Sequence, residues 1–263
     1  MQTIIINLPS DDARWVDVRR QFHRAGLRPA FHEAVDGREL SERQLRRLYS
    51  PELNRRSYHR PLTAGEIGCY ASHLSVWEQF LGSAQRHVAV FEDDIEIDPG
   101  LARVLAALET APFRADLVKL IGRRREKVRE RTPLLAGRDL IRYRRVPSLT
   151  GAYVLTRRGA EKLLAARQPF GRPVDVDLRH WWECDLDVAG VQPYPVQVAP
   201  ASRWSTIADR EARTEGASRW DKLRLQARYS FLNWSSLKAL PPAGTIAPRR
   251  FGPREWQRPQ DAV

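Results

Sequence analysis

Short apolar runs alternate with longer amphipathic stretches through the first two thirds of the chain. The apolar runs, which are typical of buried strands, cover residues 4–7, 30–35, 88–91, 117–121 and 152–155. Between them, the helical spacing of apolar residues predicts helices over residues 10–25, 101–108 and 157–166. Strands alternating with helices indicate an α/β fold with a mainly parallel mixed sheet that is flanked by helices.

Two further helices are predicted from their first turns. Ser41 with Gln44, and Thr63 with Glu66, have the spacing of capping boxes. The second pair precedes an apolar stripe at helical spacing, made of Ile67, Tyr70, Leu74, Trp77 and Leu81. The polar, basic segments 55–61 and 123–131 are predicted to be loops.

Polar residues follow two of the predicted strands at their carboxyl ends. Asn7 ends the first strand, and Glu92-Asp93-Asp94 follow the apolar run 88–91. Ligands of such sheets bind beyond these ends, so the four residues are expected to share a cleft. Neighbouring acids repel one another, and Mn²⁺ or Mg²⁺ would relieve that repulsion while bridging to phosphate oxygens. The triplet alone also suits a phosphatase, a phosphotransferase, or a solvated turn with Asp98 capping the next helix.

Composition adds few constraints. The chain has 263 residues and a formal net charge of +12, carried mostly by arginine. Such a charge suits nucleic acid, anionic lipid or a phosphorylated substrate, but a GC-rich genome would also produce it. Cys69 and Cys184 lie in no paired motif, which indicates reduced thiols in a cytoplasmic protein rather than metal ligands. No apolar run is long enough to span a bilayer.

A basic helix is predicted near the C-terminus. One face carries apolar residues and the others carry arginine and lysine, which suits either an anionic membrane surface or packing on the domain. Residues from 241 onward are predicted to be extended. The apolar face consists of Trp220, Leu223, Ala227, Phe231 and Trp234.

Several segments together resemble glycosyltransferase family 25, the lipooligosaccharide galactosyltransferase family. The longest match is the segment 62–73, which reads LTAGEIGCYASH and is followed by Trp77. The segment 90–94, which reads VFEDD, is similar to the acidic strand end of the family. Shorter matches lie at residues 6–8 with Arg14, at 34–37, 116–120, 151–155 and 159–164, and at 173–175 with Leu178. The similarity covers residues 3–207, and this predicts a catalytic domain over 1–207 and a basic extension over 208–263.

The resemblance implies a GT-A type nucleotide-sugar-binding fold and a hexose, commonly galactose, transferred from a UDP-sugar to a glycan such as lipopolysaccharide or lipooligosaccharide. It also implies a divalent metal, Mn²⁺ or Mg²⁺, held by Asp94 with Glu92, and an inverting reaction with Asp175 as the leading general base. Asp177 is the alternative base, although either aspartate could instead cap a helix. The donor site is expected to include Asn7, Leu8, Arg14, Val35, Asp36, Glu66, His73, Asp93 and Lys119.

Three of the donor-site candidates also have a simpler interpretation. Glu66 suits the capping box better than catalysis, and Arg14 could lie on a solvated face. His73 could be a core histidine with satisfied hydrogen bonds. Lys119 lies between apolar neighbours and needs a partner, either a donor phosphate or the acidic cluster.

The acceptor is expected to contact aromatic residues. Tyr153, Trp181 and Trp182 could offer ring faces to a sugar, although core packing suits at least one of the two tryptophans. The protein is expected in the cytoplasm, with peripheral attachment to the inner face of the cytoplasmic membrane as an added prediction.

Two other functions are compatible with parts of the sequence. A family member that has lost catalysis would bind a sugar nucleotide or glycan only, and the retained acids argue against it. A nucleic-acid-binding protein would use the positive charge, but the strongest motifs here are acidic and rich in glycine.

Overall fold

A computed structural model describes residues 1–9, 12–111, 113–123, 126–200 and 219–240. The predicted start of the first helix at residue 10, the predicted boundary at 207 and 208, and the region from 241 onward lie outside these residues.

The strands form one large sheet and one small sheet. In the eight-stranded sheet the order is β2-β1-β3-β8-β5-β9-β7-β6, and β4 pairs with β10. The strands are β1 (Gln2–Asn7), β2 (Ala30–Glu33), β3 (His87–Glu92), β4 (Ile95–Ile97), β5 (Leu117–Lys119), β6 (Val128–Leu135), β7 (Arg138–Tyr143), β8 (Ala152–Thr156), β9 (Val188–Gln192) and β10 (Val196–Val198).

The helices lie between these strands and after them. A short 3₁₀ turn covers Trp181–Glu183. The α-helices are α1 (Asp12–Arg24), α2 (Glu42–Leu48), α3 (Pro51–Ser57), α4 (Ala64–Leu81), α5 (Leu101–Thr110), α6 (Arg157–Ala166), α7 (Val174–Asp177) and α8 (Arg219–Lys238).

The large sheet is mixed but mainly parallel in direction. β1 pairs in parallel with β2 and β3, and β5 pairs in parallel with β9. β8 runs antiparallel between β3 and β5, and β7 runs antiparallel between β9 and β6. Six of the eight strands therefore run the same way. The predicted α/β class is confirmed, and the arrangement is consistent with a GT-A type fold.

Alternate residues of each central strand supply two cores. In β1, Ile4 and Ile6 belong to the core under α4 and α6, while Ile5 belongs to the core under α1 and α5. The same alternation separates Val90 from Phe91 in β3. This is the period of two that a pleated strand imposes, and it explains why these runs are apolar throughout.

The start of α4 packs directly against the loop after β2. A Cβ atom on Gly68 would lie 2.6 Å from the Gly37 nitrogen and closer still to the Val35 carbonyl oxygen. This close approach lets Ser72 Oγ accept a hydrogen bond from the Val35 amide at 2.8 Å. Glycine at position 68 therefore sets the distance between α4 and the strand ends.

Both predicted capping boxes are confirmed. Ser41 with Gln44 begins α2, and Thr63 with Glu66 begins α4, with both reciprocal hydrogen bonds present in each.

Two predicted loops are wrong in part. Residues 51–57 form α3, with Ser50 accepting a hydrogen bond as N-cap and Pro51 in the first turn. Within 123–131, residues from 128 onward belong to β6, which pairs with β7 at the edge of the sheet. Half of its sequence VRERTPLL is polar and it contains proline, as edge strands allow.

The C-terminal helix α8 exists, but it packs through a different face from the expected one. Tyr229 and Asn233 are its buried residues, and Asn233 Oδ1 accepts a hydrogen bond from the Trp181 indole at 3.1 Å. Trp220 is 82% exposed and Phe231 is 63% exposed. The predicted apolar stripe therefore faces solvent. Membrane attachment stays a prediction, which cosedimentation with anionic vesicles at low salt would test. Among the described residues, every helix is too short or too polar to cross a bilayer.

We expect Gly68→Ala to destabilise the fold by about 1–3 kcal/mol, because the added methyl group overlaps backbone atoms that cannot move independently. Gly65→Ala in the same helix is the matched control. A Cβ there meets nothing nearer than Thr63 Oγ1 at 4.0 Å, so the change should be neutral or stabilising by up to about 1 kcal/mol. Urea unfolding measures both, and equal stability of the two variants would contradict the packing argument.

Candidate functional site at the carboxyl edge of the sheet

The ends of β1 and β3 lie side by side, as their sequences predict. Ile6 is paired with Glu92 in the parallel ladder, so Asn7 and Asp93 leave the sheet at the same edge. Asn7 is buried; its Nδ2 donates to the Leu8 carbonyl at 2.7 Å, and its Oδ1 has no partner among the described residues. A buried acceptor without a partner costs free energy, and a ligand N–H or O–H at this edge would satisfy it.

Glu92 is held by groups from three elements. Burial opposes its ionisation, but hydrogen bonds from His73 and Thr150 and the charge of Lys119 outweigh burial and lower the pKa of Glu92. The His73 Nε2 atom lies 3.4 Å from Glu92 Oε1. Glu92 is therefore an ionised carboxylate that the protein itself already contacts.

The other two acids of the triplet differ from Glu92 and from each other. Asp93 forms an ion pair with Arg14, with 3.7 Å between the carboxylate and guanidinium atoms. For Asp94, burial and the neighbouring charges of Glu92 and Asp93 raise the pKa to about 7. Negative charge at Asp94 is thus incompletely compensated by the protein, which is the electrostatic condition that favours a bound cation.

The His73 ring is oriented by a buried hydroxyl group. Tyr153 Oη lies 2.8 Å from His73 Nδ1 and accepts a hydrogen bond from the Trp77 indole, also at 2.8 Å. Because the indole can only donate, the Tyr153 proton is directed to Nδ1, and Nε2 carries the ring proton toward Glu92. His73 is therefore a buried residue with partners at both ring nitrogens, and its role in the donor site stays a prediction.

Cys69 is a third member of this cluster, and its position in the sequence did not predict it. Cys69 Sγ, a His73 ring nitrogen and a Glu92 oxygen lie within 4.8 Å of one another, a spacing compatible with metal ligands. However, burial first, and then the nearby carboxylates, raise the pKa of Cys69 well above its usual value. The thiolate is the form that binds metals, so a thiol with a raised pKa is poorly suited to be a ligand here.

Lys119 ends β5 at the same edge and is fully buried. Its Nζ donates to the carbonyl of Pro147 at 3.0 Å and to that of Leu149. Burial lowers the pKa of Lys119 to about 8, and the nearby Asp175 is the strongest opposing influence. Two backbone carbonyls are thus the partners of the ammonium group, and the charges of Asp175 and Glu92 also act on it.

The two aspartates of α7 have different surroundings. Asp177 is buried, with Oδ2 accepting from Tyr70 at 2.6 Å and Oδ1 accepting from Arg172 Nε at 2.7 Å. Arg167 lies 3.3 Å from the same Oδ1. Asp177 thus anchors α7, and this occupation removes the reason to consider it as a base.

Asp175 is the freer carboxylate of α7. Burial raises its pKa to about 6 against the opposing charge of Lys119, with Glu92 and Glu66 raising it further. The ionisation of Asp175 is therefore coupled to the charges of residues at the strand edge. A carboxyl group with a pKa near 6 is suited to accept a proton near neutral pH.

The remaining donor-site candidates lie around the edge with partners of their own. Glu66 completes its capping box and forms a two-pronged ion pair with Arg60, at 2.8 and 2.6 Å. Asp36 accepts hydrogen bonds from Arg38, which lower its pKa to about 2. The backbone of Val35 is fixed by Ser72, while Leu8 is half-buried beside Asn7. The Arg60–Glu66 pair was not predicted, because a separation of six residues gives no periodic signal.

The aromatic acceptor candidates require a correction. Tyr153 is 1% exposed, so it reaches the site only through His73 and cannot contact an acceptor directly. Trp181 is buried and donates to Asn233, which makes it a core residue. Trp182 is half-buried and packs edge-on against Trp181 and beside Tyr229, so it is the one of the three with surface to offer.

Comparisons with known proteins agree with the resemblance. The family model described as glycosyltransferase family 25 (LPS biosynthesis protein) matches residues 1–178. A glycosyltransferase 25 family member of Drosophila melanogaster is 32% identical over 180 residues, which are 66% of this chain and 29% of that protein. Procollagen galactosyltransferase 2 of Homo sapiens is 29% identical over 281 residues, covering 93% of this chain and 44% of that protein.

A third relative carries a different description. The probable inactive glycosyltransferase 25 family member 3 of Bos taurus is 31% identical over 218 residues, covering 72% of this chain and 34% of that protein. The chain therefore spans less than half the length of each of these three relatives.

We expect Tyr153→Phe to destabilise the protein by about 1–3 kcal/mol, because the buried Trp77 indole and His73 Nδ1 both lose their shared partner. Urea unfolding should show a lower midpoint with an unchanged slope. A midpoint equal to that of the unchanged protein would contradict the assigned hydrogen bonds.

Proposed function

Since the chain belongs to glycosyltransferase family 25, we propose that it is a hexosyltransferase that moves galactose from a UDP-sugar to a hydroxyl group of a glycan acceptor. The observation that carries the proposal is the incompletely compensated negative charge at Asp94, at a sheet edge shared with the unsatisfied Asn7 Oδ1. A nucleoside diphosphate bound through a cation would satisfy both groups.

The donor set at this edge fits a hard divalent cation. Asp94 would hold Mn²⁺ or Mg²⁺, and Glu92 would support it from its hydrogen bonds with His73 and Thr150. Bound there, the ion would supply charge stabilisation to the departing diphosphate. Arg14 keeps Asp93 oriented beside it, and the backbone around Asn7 and Val35 shapes the nucleotide side of the cleft.

Asp175 is the proposed general base. It would accept the proton of the acceptor hydroxyl as the oxygen attacks the anomeric carbon, in a single displacement with inversion. Lys119 holds its ammonium group near this carboxylate and so limits how far burial raises the Asp175 pKa. Asp177, locked by Arg172 and Tyr70, fixes α7 and hence the position of Asp175.

The names of relatives support the choice of sugar and of acceptor. A relative named procollagen galactosyltransferase supports galactose as the sugar, and the family description as an LPS biosynthesis protein supports a lipopolysaccharide or lipooligosaccharide acceptor. The relatives named as inactive make binding without catalysis the second candidate function. The acids of the site and the raised pKa of Asp175 favour catalysis over binding alone.

The donor and metal assignment is tested by calorimetric titration of UDP-galactose with and without Mn²⁺. We expect binding to require the ion, and Asp94→Asn to weaken it at least tenfold, because the variant loses a charged ligand. Glu96→Gln is the matched control, since this exposed carboxylate on β4 lies only two residues away. Equal binding by Asp94→Asn and Glu96→Gln would contradict the metal site.

The base is tested with Asp175→Asn. We expect transfer to fall by about 10²–10⁴-fold, with UDP-galactose affinity close to that of the unchanged protein. In the unchanged protein, transfer should also decline as the pH falls below about 6, where Asp175 becomes protonated. Rates are followed by release of UDP.

Asp177→Asn provides the contrast for this experiment. It should instead destabilise the fold by about 3–5 kcal/mol, because Arg167 and Arg172 lose a buried partner. Full activity of Asp175→Asn would remove the base assignment. A protein that binds the donor but neither transfers nor hydrolyses it, with any acceptor tested, would support the binding-only function.

A further inference from the structure

A basic groove runs beneath α8 and has no role in the donor site. It consists of two adjoining cavities of about 620 and 520 Å³. They share Ser57, His180, Leu225 and Tyr229, so they form one continuous depression between α3, α7 and α8. We refer to it as the arginine groove.

Positive charge dominates the lining of the arginine groove. Ten arginine or lysine residues face three carboxylates, with six against two in the larger cavity and four against one in the smaller. Arg167 and Arg172 are neutralised by Asp177 and Glu183. Arg56 and Arg224 pair with Glu52 and Asp221. The ion pairs of the described residues do not include four of the other cations, Arg145, Arg179, Lys222 and Arg228.

Two of these cations flank a single aromatic ring. The guanidinium groups of Arg145 and Arg179 lie 4.7 and 4.5 Å from the centre of the Tyr229 ring. Stacking on an aromatic ring holds a guanidinium in place while leaving its N–H edges available. The pair is thus pre-organised to donate hydrogen bonds to an oxyanion.

Unsatisfied polar atoms are concentrated here as well. Within the described residues, Tyr229 Oη, Arg179 Nε and Arg167 Nε are buried without a hydrogen-bond partner, and all three residues line the arginine groove. Burial, and then the charge of the adjacent Arg172, lower the pKa of His180 to about 4. The three buried polar groups lack a partner in the described part of the chain, and a bound oxyanion would supply acceptors for the N–H and O–H groups.

The arginine groove adjoins the proposed base. Val176, which follows Asp175 in α7, lines it, and so does Pro147, whose carbonyl accepts from Lys119. The arginine groove thus reaches the residue that follows Asp175 and the segment whose carbonyl holds Lys119.

We propose that the arginine groove binds an oxyanion, a phosphate or a carboxylate, carried by the acceptor glycan. The identification of the bound molecule as the acceptor rests on the proposed function. Binding of an anionic sugar in the groove is independent of it. Arginine pairs suit both groups, because their N–H edges match two oxygens of either one. The exposed stripe of α8 lies on the opposite face from Tyr229, so a membrane surface meeting that stripe is a separate matter.

The test is calorimetric titration of the full chain with glucose 6-phosphate, glucuronate and glucose, in saturating UDP and Mn²⁺ so that the donor site is filled. We expect binding of the two anionic sugars and none of glucose at equal concentration. Arg145→Gln with Arg179→Gln should weaken anionic binding about tenfold or more. The ratio of phosphate to carboxylate affinity then identifies the preferred group.

Two further variants separate a built site from general attraction. Arg43→Gln with Arg47→Gln removes the same charge from exposed positions of α2 that do not line the groove, and should change binding less than twofold. Tyr229→Phe keeps the charge and removes only the buried hydroxyl group, and should weaken binding several-fold. Circular dichroism of each variant confirms folding.

The outcomes are distinct. Equal weakening by the groove pair and the α2 pair, or equal affinity for glucose, would overturn the proposal. Loss of anionic binding when UDP is added would also overturn it, since the anion would then occupy the donor site. Failure to bind UDP-galactose would remove the proposed function alone, and a selective effect of the groove pair would still support the anion site.

Discussion

Negative charge gathered at one edge of a buried sheet is the constraint on which the rest of this site depends. Three consecutive acids follow β3, and different elements compensate them. His73 from α4, Thr150 before β8 and Lys119 from β5 stabilise Glu92, while Arg14 from α1 pairs with Asp93. Each compensating contact also fixes an element against the edge, so the electrostatics and the architecture of the site are the same set of interactions. Asp94 is the carboxylate whose compensation is incomplete.

A second charged cluster fixes the position of Asp175, the proposed base. Asp177 accepts a hydrogen bond from Tyr70 of α4 and forms ion pairs with Arg167 and Arg172. The two arginines also form ion pairs with Glu183. Buried charges of this kind add little net stability but hold a unique geometry, because any displaced partner would be left buried and unpaired. Asp175 benefits from this rigidity while remaining outside the cluster. One short helix can therefore present one locked carboxylate and one that is able to exchange a proton.

The elements that sequence predicts well are those with local signals. The capping boxes of α2 and α4, the alternation within β1 and β3, and the shared edge of Asn7 and Asp93 follow from spacing and strand direction alone. Helix α3 also had such a signal, Ser50 followed by Pro51, which basic residues downstream obscured. Strand β6 had none, because an edge strand needs little burial.

The orientation of α8 shows where local pattern fails. The aromatic stripe of α8 predicts that this stripe is the buried face. Instead, Asn233 lies on the packed face and accepts a hydrogen bond from the indole of Trp181, which is 52 residues away in sequence. The arginine groove depends on the same choice of face, since this orientation brings the Tyr229 ring close to the guanidinium groups of Arg145 and Arg179. Contacts between residues distant in sequence cannot be read from spacing, whatever the chemistry of the residues.

The positions of opposite charge explain how an acidic donor edge could serve an anionic acceptor. Acids at the end of β3 would repel a phosphate or carboxylate approaching Asp175, and in a partly buried cleft that repulsion is weakly screened. The arginine groove begins beside Asp175, at Val176 and Pro147, and its excess cations offset that repulsion where the acceptor would enter. Lys119 lies between the two regions and interacts with both Asp175 and Glu92. The net charge of +12 is then more than a compositional bias of the chain. With the proposed function, part of it would lie where an anionic acceptor approaches Asp175.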